Sequence, residues 1–391
     1  MKSVLIIVEN LPVPFDRRVW LEATALRQAG YEVTVICPKG KGHVADHEVI
    51  DGVVVYRHDL PPETGSKLDY LREYAAALAH EFRLALRARR ERGFDVVHVC
   101  NPPDLLFLVA GFWKLFAGAK VVFDHHDVGP ELYVEKFGRK DLFYRALLLA
   151  ERLTFATADV VITTNESYRR VALERGRKSP GDVFVVRSAP DLERFRPTPP
   201  DPAVKRGARF LVGYVGVMAE QDGVDRLIRV AHDIVNLRRR RDVRFLLIGG
   251  GPRLDSLRAL AAELELGEHV EFAGFRSGDE LVRLLSSCDV CASPDPISEY
   301  NHMCTMNKVM EYMALGKPVV QFDLVEGRVS AGEASLYATD VEDFAAKVVQ
   351  LLDDEDLRHR LGEAGLKRMR DVLGWSHQVP NLLAAYRRLF A

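Results

Sequence analysis

In the stretch NHMCTMNKVMEYMALGKPVV, running from Asn301 to Val320, Lys308 and Glu311 stand three residues apart. On a helix that spacing puts an ammonium and a carboxylate on one face. Thr305 is placed to cap such a helix, with Lys308 in its first turn and Glu311 in the next. A first-turn lysine opposes the positive end of the helix dipole, and Lys before Glu is the weaker order for a helical ion pair. Such an arrangement calls for a compensating anion. A diphosphate meets that demand, because exposed amides at the helix start can bond its oxygens while Lys308 supplies a charge-assisted contact and Glu311 holds ribose hydroxyls. An exposed Lys–Glu pair on an ordinary helix would read the same way in isolation.

Other chemistry-bearing residues sit where strands end. VGYVG carries Gly213 and Gly216, LLIGGGP carries Gly249, Gly250 and Gly251, and FAGF carries Gly274 beside Phe275. Glycines there let backbone approach a ligand closely, although GGGPRLD lacks the G-x-G-x-x-G dinucleotide fingerprint and also suits a tight strand-to-helix turn. AKVVFDHHD closes on His125, His126 and Asp127, with Glu131 following in GPEL, a set that favours a polar cleft over a single structural histidine. NLPVPFDRR places Asp16, Arg17 and Arg18 after the first strand, where Asp16 also suits a helix cap. Asp354 and Asp356 form a D-x-D in LLDDEDLRHRL, which reads as the acidic start of a helix, so no metal is assigned. Cys288 and Cys291 form a lone C-x-x-C without a second ligand pair, and read as buried thiols.

The elements that must position these groups follow a repeating order. SVLIIVE reads as a strand, FDRRVWLEATALRQAG as a helix ending at Gly30, and YEVTVICP as the next strand, the signature of a parallel βαβ unit. Further strands are DGVVVYRHD, FDVVHVC, AKVVFDHHD, DVVITT and DVFVVRS. The period lapses around PDLERFRPTPPDPAVKRGARF, after which RFLVGYVG, DVRFLLIGGGP, HVEFAGF, DVCASP and KPVVQFD start a second series. The expected organisation is an N-terminal domain over 1–192, a linker over 193–208 and a second domain over 209–373. A final helix over 374–391 is expected to join the first domain.

With 391 residues, 48% of them hydrophobic, the chain has material for two α/β cores, with a cleft expected between them. Its net charge of -2 gives no global field favouring nucleic acid. MKSVLIIVEN is too short an apolar run for a signal peptide, and charges interrupt every longer apolar stretch, so a cytoplasmic location is expected. The arginine-rich end of an amphipathic stretch from Leu68 to Gly93 reads as a solvated helix face, with peripheral contact at the inner face of a membrane as the lesser reading.

These landmarks together resemble the retaining GT-B glycosyltransferases of family 4, and within it the branch that builds bacterial surface polysaccharides. The match runs nearly the full length, through the first βαβ unit, AKVVFDHHD, YVG, LLIGGGP, VEFAGF, DVCASP, EYMALGKPVV and the tail containing Trp375. EYMALGKPVV is similar to the second half of the family's motif of two glutamates separated by seven residues, with Glu311 as the second. The first would fall at Met303, which offers no carboxylate, and the segment from Ser293 to Glu311 is longer than usual. Glu299 or Asp295 is therefore a substitute. After YVG the chain reads VMAEQDG where relatives carry phosphate-binding cations, so Lys308, with Arg328 second, is the replacement.

The resemblance implies a GT-B fold: two Rossmann-like, doubly wound parallel-sheet domains facing across a cleft. It implies sugar transfer from a nucleotide-diphosphate sugar, a UDP-sugar by preference, to a glycan, lipid-linked or small-molecule acceptor, with retention and with neither metal nor cofactor. His126, Lys308 and Glu311 would act on the reacting sugar and its leaving group. Gly216, Gly250, Gly251, Phe275, Glu299, Thr305, Met306, Asn307 and Arg328 would line the donor, and Asp16, Arg17, Arg18, Asp127 and Glu131 the acceptor side. A sugar-nucleotide epimerase, or a donor-binding partner of another transferase without turnover, remain alternatives on sequence alone.

Overall fold

The computed structural model describes residues 2–60 and 67–391, with the side chains of 67–74 left out, so part of the amphipathic stretch from Leu68 lies outside the described residues. The chain divides into two units: 2–187 with 378–391, and 188–377. In the first, the strands are β1 (Ser3–Ile7), β2 (Glu32–Pro38), β3 (His47–Ile50), β4 (Val53–His58), β5 (Val96–Cys100), β6 (Lys120–His125), β7 (Val160–Thr163) and β8 (Val183–Val185). Its helices are α1 (Arg17–Gln28), α2 (Lys67–Glu91), α3 (Phe107–Ala117), α4 (Gly129–Phe137), α5 (Leu142–Thr157) and α6 (Glu166–Glu174). The sheet order is β3-β4-β2-β1-β5-β6-β7-β8, parallel except where β3 meets β4.

The second unit has β9 (Phe210–Val217), β10 (Val243–Gly250), β11 (Val270–Gly274), β12 (Val290–Ser293), β13 (Val319–Phe322) and β14 (Ser335–Ala338), in the order β11-β10-β9-β12-β13-β14 and all parallel. Between them run α7 (Val224–His232), α8 (Leu254–Glu263), α9 (Gly278–Ser286), α10 (Glu299–Met303), α11 (Asn307–Ala314) and α12 (Val325–Ala331). After β14 come α13 (Val341–Asp353), α14 (Glu355–Arg368) and α15 (Trp375–Arg388).

The β9 strand shows why its sequence must be a buried one. Phe210, Val212 and Tyr214 enter the core formed with α7 and α13, while Leu211 enters the opposite core with α9 and α11. A near-continuous apolar run follows from covering both faces with helices. Each such side chain fully buried is worth roughly 1.5–3 kcal/mol. Gly213 keeps the second face close, since a Cβ there would meet Cys288 Sγ at 2.5 Å. Cys288 and Cys291 are both buried free thiols.

Open parallel sheets present their ligand crevice where strand order reverses. In the first unit that point lies between β1 and β5, and in the second between β9 and β12. The residues 193–208, read as a linker, fall inside the second unit. The Asp201 amide donates to Ser287 Oγ at 2.9 Å, Lys205 Nζ lies 2.8 Å from Asp289, and Arg206 Nη2 lies 2.6 Å from Glu271. Prolines broke the helical period there without freeing the chain. Asp354 caps α14 by accepting from the Leu357 amide at 2.8 Å.

Candidate functional site

At the carboxyl ends of β9 and β10 the glycines interlock. A Cβ on Gly249, whose φ is 135°, would stand 1.9 Å from the Gly216 carbonyl oxygen, and one on Gly251 would stand 2.7 Å from the Met218 amide nitrogen. One on Gly216 would meet Lys308 Cε at 3.4 Å. The structure therefore brings Gly216, the Gly249 to Gly251 turn and Lys308 to one place, the reversal point of the second sheet.

Here α11 begins at Asn307 behind Met306, one residue later than a Thr305 cap requires, and Met306 supplies no side-chain cap. Lys308 keeps its place in the first turn. Its Nζ lies 2.7 Å from Asp295 Oδ1, 3.7 Å from Asp222 Oδ1 and 5.1 Å from the centre of the Tyr214 ring. The anion that the helix dipole demanded is thus supplied by the protein. Burial disfavours the ammonium, but Asp295, Tyr214 and Asp222 outweigh it and raise the Lys308 pKa above the usual lysine value. Burial lifts the Asp222 pKa in turn.

The partners are themselves held. Ser293 Oγ donates to Asp295, and the Ala219 amide donates to Asp222 Oδ2 at 3.3 Å. Tyr312 Oη accepts from the Val215 amide at 2.9 Å and donates to Ala292 O at 3.2 Å, tying α11 to β9 and β12. Asp295 is committed to Lys308, which removes it as the substitute for the glutamate missing at Met303. The extra length of the segment is taken up by α10, whose exposed Glu299 follows the cap Ser298. Glu311 is half-buried in the second turn of α11. Arg328 is paired with Asp323 at 2.7 Å and stacks 4.3 Å from the Tyr337 ring centre, so its cation is not spare. Phe275 is exposed beyond β11.

In the first unit, His126 follows β6. Its amide donates to Asn101 Oδ1 at 2.7 Å, and its Nε2 meets Asp124 Oδ2. Asp124 also receives Arg18, with Nε at 2.9 Å and Nη2 at 2.6 Å. Arg18 reaches the Val186 carbonyl at 2.7 Å and Glu22 at 3.1 Å. Burial opposes the Asp124 charge, but Arg18 and His126 hold its pKa well below the carboxylate range. Beside it, burial and the Asp124 charge push Glu22 upward. His98 completes the cluster, with Nδ1 2.7 Å from Tyr386 Oη and Nε2 3.6 Å from Glu22.

Several acceptor-side assignments change. Asp16 caps α1, accepting from the Val19 amide at 3.1 Å, which is its helix-start reading. Arg18 is buried behind His126 instead of facing a ligand, because its guanidinium neutralises Asp124. Glu131 is bonded to Arg175, whose Nη2 also reaches Glu151 at 2.6 Å. Asp127 Oδ1 accepts from the Val128 amide at 2.8 Å, and Arg17 remains exposed. The residues that the sequence did not offer are Asp124, Asn101 and Asp222. Asp124 and Asn101 stand at strand ends, which is the one signal that could have drawn them out.

A family model described as "Glycosyl transferase 4-like domain" matches residues 16–189, and one described as "Glycosyl transferases group 1" matches 209–354. This chain is a GT-B glycosyltransferase of family 4. The family 4 chain is 26% identical over 431 residues to spore coat protein SA of Bacillus subtilis, covering 99% of this chain and 100% of that protein. It is 28% identical to the D-inositol 3-phosphate glycosyltransferase of Nocardia farcinica over 61% of this chain, and spans about half of that relative, 54%. Anabaena HepE in complex with UDP-glucose superposes with a TM-score of 0.72 at 15% identity, covering 99% of this chain and 100% of that one. This glycosyltransferase shares its two parallel-sheet α/β units with that structure.

Proposed function

We propose that the second unit binds a nucleotide-diphosphate sugar, a UDP-sugar by preference, at the reversal point between β9 and β12. The observation that carries this reading is the convergence of Gly216, the Gly249 to Gly251 turn and the α11 start, which carries no side-chain cap, at one strand end. Uncapped amides there suit a diphosphate. Lys308, already offset by Asp295, fixes the α11 start against Gly216 and leaves the amides as the direct phosphate contacts. Glu311 takes the ribose hydroxyls. That a neighbouring fold holds UDP-glucose supports the uridine preference.

The first unit is assigned the acceptor, a glycan, lipid-linked or small molecule, with His126 at the transferred sugar and Asp127 beside it. Transfer proceeds with retention. The departing diphosphate stays on the acceptor's side and takes its hydroxyl proton, so no protein nucleophile or metal takes part. Catalysis then rests on stabilising charge at the breaking bond to phosphate.

Thermal unfolding against a panel of nucleotide sugars tests the donor site, since a ligand bound to the folded state alone raises stability by mass action. One UDP-sugar should raise the midpoint for the wild type and fail to do so for Glu311→Ala. A co-structure with the nucleotide seated away from the β9 and β12 ends would overturn the assignment.

A further inference from the structure

Helix α5 carries more apolar surface than a helix that only serves a core requires. Its buried side carries Glu151, Thr154 and Phe155, whereas Leu142, Ala146, Leu149 and Leu153 are exposed at spacings of four, three and four. Leu142 is 80% exposed and Leu149 57%. The polar side is accounted for: Arg175 binds Glu151, and Thr154 donates to Asp104 O at 3.1 Å.

The apolar face extends onto neighbouring helices. The exposed Phe137 of α4 and Phe143 of α5 set tilted rings 4.8 Å and 5.2 Å from the ring of the buried Tyr133 between them. On α3, Lys114 reaches the Thr157 carbonyl of α5 at 2.8 Å, and Leu115 and Phe116 beside it are 77% and 71% exposed. Among the described residues, most of the exposed leucines and phenylalanines fall on these three helices. Scattered apolar residues need no explanation, but a concentrated set marks an interaction surface.

Charge says which partner fits. Lys136, Arg139, Lys140, Arg145 and Arg152 are all exposed around the stripe. Of the acids in the same stretch, Asp141 caps α5 and pairs with Arg139 at 3.1 Å, and Glu151 is buried against Arg175, which leaves Lys136, Lys140, Arg145 and Arg152 as the cations in excess. The surface is thus locally positive in a chain whose net charge is -2. A second copy pairing through the same face would set these cations against one another, whereas an anionic bilayer complements both the leucines and the cations. We propose that the solvent face of α5, with the adjoining ends of α3 and α4, docks on an anionic lipid surface. This stands apart from the donor assignment, and it moves membrane contact away from the arginines of α2. There Arg87 pairs with Glu91 at 2.7 Å and Arg89 donates to the Phe94 carbonyl at 2.8 Å.

Co-sedimentation with vesicles tests it, using phosphatidylcholine alone and an equal mixture of phosphatidylcholine and phosphatidylglycerol. The full chain should pellet with the mixture and stay in solution with phosphatidylcholine alone. The triple variant Leu142→Gln, Leu149→Gln, Leu153→Gln should bind the mixture about tenfold or more weakly. Lys140→Glu with Arg145→Glu, a charge change at exposed positions, provides an independent arm with the same expected direction if the triple variant fails to fold. Three results would overturn the proposal: no vesicle binding by the wild type, equal binding by the wild type and both variants, or a wild-type dimer in solution that the leucine variant converts to monomer without any lipid effect.

Discussion

Each unit buries a cation against two carboxylates near the reversal point of its sheet, and the two sets differ in what they leave for a ligand. In the first, Arg18 grips both oxygens of Asp124, and the same carboxylate holds Nε2 of His126. In the second, Lys308 makes one close contact with Asp295 and lies against Gly216, at a helix start whose cap residue, Met306, contributes no side-chain hydrogen bond. A planar fork can fix a carboxylate in two directions, so the arginine set positions a third side chain, whereas a lysine is a point charge that anchors the start of a helix.

Removing Asp124 should produce the largest effect. Asp124→Ala leaves Arg18 buried without its two-point partner and with Glu22 as its remaining carboxyl neighbour, so urea unfolding should show a loss of about 3–5 kcal/mol. The double variant Arg18→Met, Asp124→Leu should recover much of it. Recovery of stability without recovery of activity would show that the arginine set serves to orient His126. If the double variant instead kept full activity, the first half of the comparison would fail.

Lys308→Ala should slow turnover by about 10²-fold, because releasing the α11 start misplaces the amides proposed to hold the diphosphate. Asp295→Asn sharpens this. Under the anchoring role it slows turnover alongside Lys308→Ala, while a lysine acting on the diphosphate directly would leave Asp295→Asn active. Steady-state kinetics with the preferred donor separates the two.

Asp104, buried near His126's supporting Asn101, has its pKa pushed up to about 8 by burial and by Glu151. A carboxyl raised in the folded state contributes stability that is fully present below its ordinary value near ~4 and is lost as pH rises through about 8. Asp104→Asn has no proton to lose, so its advantage over the wild type should grow as pH rises from ~4 and level off at roughly several kcal/mol once pH passes about 8, with the two equal only near ~4 and below. Denaturant melts across that range read the difference, and parallel curves would reject a buried protonated Asp104. The smallest change is expected from Asp16→Ala, which deletes the α1 cap and should lower stability by about 1 kcal/mol with little effect on donor protection.

The alternation of strands and helices was legible in the sequence because each apolar run keeps its own period, as in SVLIIVE and RFLVGYVG. The convergence at the second sheet's reversal point was legible too, since its glycines and Lys308 stand in recognisable strand-end and helix-start positions. What the sequence hid was pairing. Arg18 and Asp124 are separated by more than a hundred positions, and no local spacing reveals that a guanidinium placed beside a helix start turns inward to meet a strand end. Asp295 misled for a related reason: in a polar loop it looks available, yet Lys308 claims it. Thr305 looked like a cap because its type suits one, but α10 and the turn after it shift the start of α11 to Asn307.

From Gln378 onward α15 belongs to the first unit, where Gln378 Oε1 accepts from the Arg187 amide at 3.0 Å and Tyr386 meets His98. A ribosome therefore releases nearly two hundred intervening residues before the helix that completes the first unit emerges. During synthesis the nascent first unit must wait with His98 exposed on its Nδ1 side, and the inserted unit has the chance to mature ahead of the one that encloses it.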